Sequence, residues 1–300
     1  MRIWVSGAAG FVGSRLRPRL EAAGHTVIGV DREVEITDPE AVRESLTSAR
    51  PDAILHLAAQ SSSTRSAAAP ERAAQINYGG TANVLQLARE HHSQCRVVLV
   101  SSSEIYGSRS PGAEPFRETD GLAPRTPYAR TKAAADLLAA RYAADGLDVV
   151  RARPFNHTGP GQSPDAFVVP SFARQVAQIA SGERPAALQV GNLASVRDFL
   201  DVDDVIEAYL RLLDRDVPPG AYNIASGQGR RIGDLLDDLI ALAETEATIE
   251  VDPERFRPTD DSVGDASKLR AATGWEPKIP WRDTLSRVLE SVASTEAPPT

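Results

Sequence analysis

Short apolar runs alternate with longer amphipathic stretches through the first half of the chain. The apolar runs predict buried β-strands at residues 3–6, 26–30, 53–57, 96–101 and 149–153. The stretches between them carry apolar residues at helical spacing and predict helices at residues 11–23, 39–49, 74–91 and 126–144. Strands that alternate with helices in this way predict an α/β fold of Rossmann type, in which helices cover both faces of a doubly wound parallel sheet.

The sequence changes in character after Pro154, where Gly, Pro, Asn and Gln become frequent. Loops of this composition are typical of a ligand-covering region attached to a rigid sheet. We therefore expect a sheet domain at 1–155 and a smaller region at 156–195 and 216–300. Residues 197–212 have the pattern of a strand and a helix, so about 196–215 is assigned to the sheet domain and the boundary is expected to be discontinuous.

A glycine-rich turn follows the first predicted strand. Gly7, Gly10 and Gly13 stand in G-x-x-G-x-x-G spacing around Phe11 and Val12, and a helical pattern follows. Glycines allow the backbone to approach a pyrophosphate, and the amides at a helix start attract phosphate. Asp31 ends the next strand, roughly twenty residues on, where a carboxylate can bind an adenosine ribose. The pattern predicts a dinucleotide site.

Tyr128 and Lys132 lie four residues apart in a predicted helix, so they share one helical face. Lys132 is one of three lysines, against thirty arginines. A nearby ammonium favours the phenolate and lowers the pKa of the phenol, which suits proton exchange with a substrate oxygen. The spacing alone also fits a surface tyrosine beside a solvated lysine. Together with the glycine turn, it predicts an oxidoreductase site.

Composition narrows the class of protein further. The chain has 300 residues, 42% hydrophobic and 25% charged, which is ordinary for a globular protein. A net charge of −8 argues against a nucleic-acid surface, which needs basic patches. The single cysteine, Cys95, cannot form an internal disulfide, and no metal site is expected around it. Without an apolar run of about 20 residues or a signal peptide, the sequence predicts a soluble cytoplasmic protein with no membrane contact.

The glycine turn, Asp31, the Ser-Ser-Ser-Glu-Ile-Tyr-Gly run at 101–107 and the Tyr128/Lys132 pair together resemble the extended short-chain dehydrogenase/reductase family of nucleotide-sugar enzymes. Segments 153–162, 167–172, 191–193 and 197–199 are similar to the GDP-4-dehydro-6-deoxy-D-mannose reductases, relatives of GDP-mannose 4,6-dehydratase. The resemblance covers nearly the whole chain. It implies reduction of the 4-keto group of GDP-4-dehydro-6-deoxy-D-mannose to GDP-D-rhamnose, with NAD(P)H as cofactor.

The resemblance assigns catalytic roles to four residues. Tyr128 would supply the proton, while Lys132 would lower its pKa and hold the nicotinamide ribose. Ser102 matches the serine that positions the carbonyl, with Ser101 and Ser103 as competitors. Glu104 matches the elimination base of the dehydratases, which keeps that reaction open. The short connection from Asp31 to residue 39 favours the reductase, because the dehydratases carry a longer insertion there.

Cofactor contacts follow from the same resemblance. The Asp31 carboxylate favours an unphosphorylated ribose, whereas the guanidinium of Arg32 could bind a 2′-phosphate, so we expect NAD(H) with NADP(H) tolerated. Glu35 and Ile36 match residues at the adenine edge. Backbone after the third strand would lie against the cofactor, at Leu57, Ala58 and Ala59.

Substrate contacts are expected in the second half of the chain. Asn156, Arg197 and Arg257 match residues that hold a sugar-nucleotide diphosphate, and Arg255 is a register alternative to Arg257. The segment from Val168 to Arg174 would recognise guanine, and Ser103 would contact substrate.

The resemblance also implies a homodimer through the helices at 74–91 and 126–144. Alternative functions are a GDP-mannose 4,6-dehydratase, a nucleotide-sugar 4-epimerase with internal hydride return, and, more remotely, a non-catalytic dinucleotide sensor.

Overall fold

The computed structural model describes residues 1–254, 256 and 259–296. Its strands are β1 (Arg2–Ser6), β2 (Thr26–Val30), β3 (Ala53–His56), β4 (Arg96–Val100), β5 (Val149–Pro154), β6 (Asn156–Thr158), β7 (Ala187–Val190), β8 (Val196–Asp201), β9 (Gly220–Ile224), β10 (Gly229–Arg231), β11 (Thr248–Val251) and β12 (Asp261–Ser262). Its α-helices are α1 (Gly13–Ala22), α2 (Pro39–Ala49), α3 (Ser63–Ala68), α4 (Pro70–Ala74), α5 (Thr81–His91), α6 (Pro127–Ala144), α7 (Val168–Ala180), α8 (Val202–Leu212), α9 (Ile232–Leu242), α10 (Ser267–Thr273) and α11 (Trp281–Glu296). A π-helical segment (Gln75–Gly80) joins α4 to α5, and a 3₁₀ turn (Ser103–Tyr106) follows β4.

The main sheet has six parallel strands in the order β2-β1-β3-β4-β5-β9. Ile3 and Val5 point into a core shared with α1 and α8, whereas Trp4 points into the core shared with α2 and α5. All three side chains are fully buried, as expected for a parallel strand covered on both faces. The predicted Rossmann-type fold is confirmed. The chain reverses its direction of strand addition between β1 and β3, which places a ligand crevice at their carboxyl ends.

Two helix predictions need correction. The first helix begins at Gly13 and not at residue 11, because residues 10–12 belong to the glycine turn, where the Gly10 amide donates to the Gly7 carbonyl at 3.1 Å. The predicted helix 74–91 is interrupted by the π-helical segment, which carries one wider turn. Asn77 in this segment donates to the Thr131 hydroxyl at 2.9 Å and accepts from the Gln60 amide at 2.7 Å.

The expected division of the second half also differs from the structure. β9 pairs with β5 in the main sheet, and α10 packs on the same core through Leu269, although residues 216–300 were assigned to the smaller region. Helix α8 packs on that core, but β8 pairs with β6, β10 and β12 instead of entering the main sheet. A third core, built by α7, α9 and α11, holds the smaller region together. No helix in the part of the chain described here is long and apolar enough to cross a membrane.

Candidate active site

A cavity of about 840 Å³ opens at the carboxyl ends of the central strands, at the switch point between β1 and β3. Backbone of the glycine turn, the end of β2 and the segment after β3 form one half of its wall. The segment after β4, the start of α6 and residues of the smaller region form the other half. The cavity therefore combines the predicted dinucleotide site and the predicted chemical site. Gly7, Gly10, Phe11, Val12, Gly13, Asp31, Arg32, Glu35, Ile36, Leu57, Ala58, Ala59, Ser102, Ser103, Glu104, Tyr128, Lys132, Asn156 and Val168 all line it.

The glycine turn has the close backbone packing that a dinucleotide site requires. Gly7 has a φ of +71°, which glycine adopts without strain. A Cβ on Gly13 would lie 2.2 Å from the Gly7 carbonyl oxygen and 2.8 Å from the Ala8 Cα. No side chain caps the start of α1, which leaves its first amides free of side-chain partners. This bare backbone beside a helix start fits the pyrophosphate of a dinucleotide.

Charged side chains of both signs surround the cavity beyond β2. The Asp31 carboxylate accepts from the Ala9 amide at 3.0 Å, and Arg32 lines the wall next to it. Glu35 accepts from the Thr37 hydroxyl at 2.8 Å and pairs with Arg72 of α4 at 3.1 Å. The hydrogen bond from Thr37 and the Arg72 charge lower the pKa of Glu35. Two guanidiniums and two carboxylates thus face one end of the cavity.

His56 joins β3 to neighbouring elements through its ring. Its ring bonds the Ser6 hydroxyl at 2.7 Å and the Thr81 hydroxyl at 3.2 Å. Burial and the nearby Lys132 charge lower the pKa of His56 to about 3, so the ring is neutral. The Ser6 hydroxyl in turn accepts from the Ala58 amide at 3.2 Å, which fixes the backbone after β3 against the cavity.

The structure brings the predicted chemical residues together. Thr126 caps α6 by accepting from the Ala129 amide at 3.0 Å, and Pro127 occupies the first turn, so Tyr128 starts the helix at the cavity wall. The Ser102 hydroxyl lies close enough to Tyr128 to lower the pKa of the phenol. Lys132, one turn further on, donates to the Val100 carbonyl at 2.5 Å. Tyr128, Lys132 and Ser102 are 8%, 4% and 8% exposed.

The predicted lowering of the Tyr128 pKa is wrong for this site. Burial raises the pKa of the phenol, the Glu104 charge raises it further, and the Ser102 hydrogen bond opposes them only in part. Lys132, whose ammonium donates to the Val100 carbonyl, is not among the groups that shift the pKa of this phenol. Burial also lowers the pKa of Lys132 to about 8. Tyr128 is therefore a protonated phenol at neutral pH, ready to donate.

Glu104 lies beside this cluster as the second residue of the 3₁₀ turn. Its carboxylate accepts from the hydroxyls of Ser63 and Thr126 at 3.3 Å, and its amide donates to the Ser102 hydroxyl at 3.2 Å. Burial raises the pKa of Glu104, against the two hydrogen bonds and the Arg197 charge. A carboxyl group in this state can exchange a proton closer to neutral pH than an exposed glutamate.

The predicted substrate residues divide into two groups. Asn156 lines the cavity and donates to the Asp198 carbonyl at 3.3 Å. Arg174 instead pairs with Asp165 at 2.9 Å, and Arg197 forms an ion pair with Asp260, so neither side chain lines the wall. Arg197 still lies near enough to lower the pKa of Glu104. Arg257, like its alternative Arg255, lies outside the described residues.

Sequence reasoning missed several residues of the wall. The segment after β3 and helices α3 and α4 bring two further cations to the cavity, and β6, β8 and α8 add aromatic rings. Their position after a strand end at the switch point was the available signal for the first group. The missed residues are Gln60, Arg65, Arg72, His157, Phe199 and Tyr209.

A buried phenol, a serine hydroxyl and an ammonium beside a dinucleotide-type glycine turn are the arrangement of the extended short-chain dehydrogenase/reductase class of NAD(P)-dependent enzymes. The sheet order and the cavity at its switch point fit the same class. In the part of the chain that the structure covers, no group of His, Cys, Asp and Glu side chains could hold a metal ion.

Comparison with known proteins makes the assignment more specific. The family model described as GDP-mannose 4,6 dehydratase matches residues 32–288. GDP-6-deoxy-D-mannose reductase from Pseudomonas aeruginosa is 38% identical over 294 residues, which cover 96% of each chain. GDP-mannose 4,6 dehydratase 1 from Arabidopsis thaliana is 29% identical over 265 residues, which cover 85% of this chain and 72% of the plant protein. The chain belongs to the GDP-mannose 4,6 dehydratase family, and the resemblance inferred from its motifs is confirmed.

Solved structures agree with the fold. RMD from Pseudomonas aeruginosa, complexed with NADPH, superposes with a TM-score of 0.89 at 37% identity over 98% of each chain. UDP-glucose 4-epimerase from Thermus thermophilus, complexed with NAD, superposes with a TM-score of 0.86 at 29% identity over 97% of this chain and 99% of the epimerase. Both cofactors therefore occur among structural neighbours, which leaves the preference of this chain open.

Proposed function

We propose that this chain is a reductase that uses NAD(P)H to convert the 4-keto group of GDP-4-dehydro-6-deoxy-D-mannose to the hydroxyl of GDP-D-rhamnose. The observation that carries the proposal is the position and state of Tyr128, a buried protonated phenol beside Ser102 in the cavity wall. A ketone reduced by hydride must gain a proton, and a phenol with a raised pKa keeps that proton until an alkoxide forms. The GDP-6-deoxy-D-mannose reductase relative supports the choice of substrate.

The division of labour follows from the geometry. A reduced nicotinamide bound in the cavity supplies the hydride. Ser102 holds the ketone oxygen next to the phenol, and Tyr128 transfers its proton to that oxygen. One N–H group of the Lys132 ammonium donates to the Val100 carbonyl, and the other two are available to bind a ribose hydroxyl. Burial of all three side chains keeps water from competing with these hydrogen bonds.

The cofactor would lie along the first half of the wall. Gly7, Gly10 and Gly13, with Phe11 and Val12, would hold the pyrophosphate by backbone amides. Leu57, Ala58 and Ala59 would follow the cofactor toward Tyr128, and Ile36 would meet the adenine.

Cofactor preference depends on the charges at the adenosine end. One Asp31 oxygen is already engaged by the Ala9 amide, while Arg32 and Arg72 bring two guanidiniums to the same end of the cavity. We propose that the enzyme accepts both cofactors, with Arg32 and Arg72 binding a 2′-phosphate when it is present. Arg32→Ala should weaken NADPH binding about tenfold and leave NADH binding within about twofold, measured by fluorescence titration.

The substrate would be held at the second half of the wall by Ser103, Asn156 and the first turn of α7 at Val168. Arg174 and Arg197 could reach a diphosphate after exchanging their ion pairs with Asp165 and Asp260. Guanidinium groups bind phosphate oxygens in a bidentate geometry, so these arginines remain our proposed phosphate ligands, together with Arg257.

A second candidate function is 4,6-dehydration, and Glu104 is the observation that favours it. Its raised pKa and its position beside Tyr128 suit a residue that moves a proton on the sugar. Stoichiometry separates the two reactions. A reductase consumes one NAD(P)H per sugar converted, whereas a dehydratase or epimerase consumes none, because the hydride returns internally.

The test is an incubation of purified protein with GDP-4-dehydro-6-deoxy-D-mannose and NADPH or NADH. Nicotinamide absorbance and the sugar product are followed together. We expect equal loss of reduced cofactor and ketone. Conversion of GDP-mannose without net loss of cofactor would show that the enzyme is a dehydratase and not a reductase. Cofactor binding without any sugar conversion would favour the non-catalytic sensor.

We further propose a cytoplasmic homodimer. Leu137 on α6 and Tyr78 on the π-helical segment are 58% and 43% exposed, an apolar pair on the helices expected to form the interface. The single thiol, Cys95, is free and buried, which suits a reducing compartment.

A further inference from the structure

A third buried polar residue continues the face of α6 that carries Tyr128 and Lys132. Asp136 lies four residues after Lys132 and is fully buried. Residues at this spacing are stacked along a helix, about 5–6 Å apart at Cβ. The helix therefore carries phenol, ammonium and carboxylate in sequence, running from the cavity wall into the protein.

Two arginines of β5 hold the Asp136 carboxylate. Arg153 donates to its two oxygens at 3.0 and 2.7 Å, and Arg151 donates at 2.8 Å. Arg153 is itself held by the Tyr106 hydroxyl at 2.8 Å. Burial alone would raise the pKa of Asp136, but the hydrogen bonds and charges of the arginines lower it, so the group is a carboxylate. Asp136 therefore fastens α6 to β5 and brings a fixed negative charge beneath the site.

The Lys132 ammonium has few other charges near it. Its donor goes to an uncharged carbonyl, that of Val100 on β4, and no carboxylate among the described residues forms an ion pair with it. His56, which faces it from β3, is neutral. Tyr128 on the same helix is an uncharged phenol, and the Glu104 charge acts on Tyr128. Burial lowers the pKa of Lys132 while the Asp136 charge opposes that change.

We propose that Asp136 is a positioning residue for the site: its arginine-bound carboxylate fixes the face of α6 and keeps Lys132 in its ammonium form. Arg151 and Arg153 limit this effect, because each offsets part of the negative charge that Lys132 experiences. The consequence for turnover rests on the proposed function, in which the three-donor ammonium of Lys132 holds the nicotinamide ribose. The effect on Lys132 itself does not.

Two substitutions distinguish an electrostatic role of Asp136 from a purely structural one. Both weaken the contacts between Asp136 and the arginines, but they change the local charge in opposite directions. Asp136→Asn removes the negative charge and should lower the Lys132 titration midpoint by about one pH unit. Arg151→Gln removes a positive charge, leaves Arg153 on Asp136, and should raise the midpoint. A purely structural role predicts that neither midpoint moves, or that both move in the same direction.

The chain offers a direct readout because it has three lysines. Full-length protein with isotope-labelled lysine gives three side-chain signals by NMR, which Lys268→Arg and Lys278→Arg assign. The wild-type Lys132 signal should titrate near pH 8. Asp148→Asn is the matched control, since it breaks the partly buried pair with Arg96 at the amino-terminal ends of β4 and β5, with contacts of 2.9 and 3.0 Å.

Opposite shifts in Asp136→Asn and Arg151→Gln, with no shift in Asp148→Asn, are the expected result. Unchanged midpoints, shifts of one sign, or an equal shift in the control would overturn the proposal. If Asp136→Asn does not fold, Arg151→Gln decides alone, with an upward shift required. The alkaline limb of kcat/KM should follow the midpoints. An enzyme that lacks reductase activity yet shows the opposite NMR shifts would refute the proposed function and leave this role intact.

Discussion

Gly13→Ala tests the dinucleotide turn with the smallest possible change, one methyl group. The added Cβ would lie 2.2 Å from the Gly7 carbonyl oxygen, and 2.8 Å from both the Cα and the carbonyl oxygen of Ala8. All three atoms belong to the backbone, so no side-chain rotation relieves the overlap. The turn must move by about 1 Å to restore normal contact, and overpacking of this kind costs about 1–3 kcal/mol.

That displacement falls on the backbone that would hold the cofactor pyrophosphate. If the cost appears in binding, each 1.4 kcal/mol is tenfold in the dissociation constant, which predicts a loss of about tenfold to a hundredfold. Fluorescence titration with NADPH measures the affinity, and thermal unfolding without cofactor measures the part of the cost that falls on stability. Both readouts are needed because the strain is divided between them.

Gly121→Ala is the matched control, since nothing lies within 4 Å of its added Cβ and its φ is not in the left-handed region. It should bind cofactor like the wild type. Gly13→Ala protein with wild-type affinity and wild-type stability would refute the reasoning, because the overlap would then have been absorbed without cost.

Three further predictions concern other parts of the molecule. Tyr128→Phe should lower kcat about 10²–10⁴-fold with cofactor affinity unchanged, and turnover at the wild-type rate would exclude Tyr128 as the proton donor. His56, whose folded pKa of about 3 lies below the usual 6.5, binds its proton more weakly when folded; stability should fall as the pH drops from about 6.5 toward 3, by at most about 1.4 kcal/mol per pH unit. Denaturant unfolding between pH 4 and 7 checks this, and His56→Asn should reduce the slope; an unchanged slope would assign the effect to other groups. Leu137→Asp should convert the proposed dimer to a monomer in light scattering, while Leu137→Met should not. A monomeric wild-type protein would rule out the proposed interface.

Local chemistry explains which parts of the site the sequence could predict. The glycine turn depends on backbone freedom within seven residues, and the Tyr128/Lys132 face depends on helical spacing. Both follow from neighbouring residues. Ser102 was chosen by resemblance, because it lies four residues before Tyr106 and so matches the serine of the family.

Other features depend on contacts distant in sequence. The raised pKa of Tyr128 arises from burial and from Glu104, which approaches through a different element. Arg72 of α4 reaches the adenosine end, where it pairs with Glu35 after β2. The ion pairs of Arg174 and Arg197 hold side chains away from the wall that were expected there. β9 was missed because its place in the sheet is set by pairing with β5 and not by a long apolar run.

The wide turn at 75–80 has a consequence for how this enzyme tolerates change. Its extra residue aims the Asn77 amide at both the Gln60 amide and Thr131, so the loop after β3 and the catalytic helix share one anchor. Deleting a single residue there would restore regular winding and remove the wide turn that directs Asn77 toward both partners. The number of residues in this segment therefore matters more than their identity. We expect the protein to tolerate substitutions at 75–80 far better than insertions or deletions.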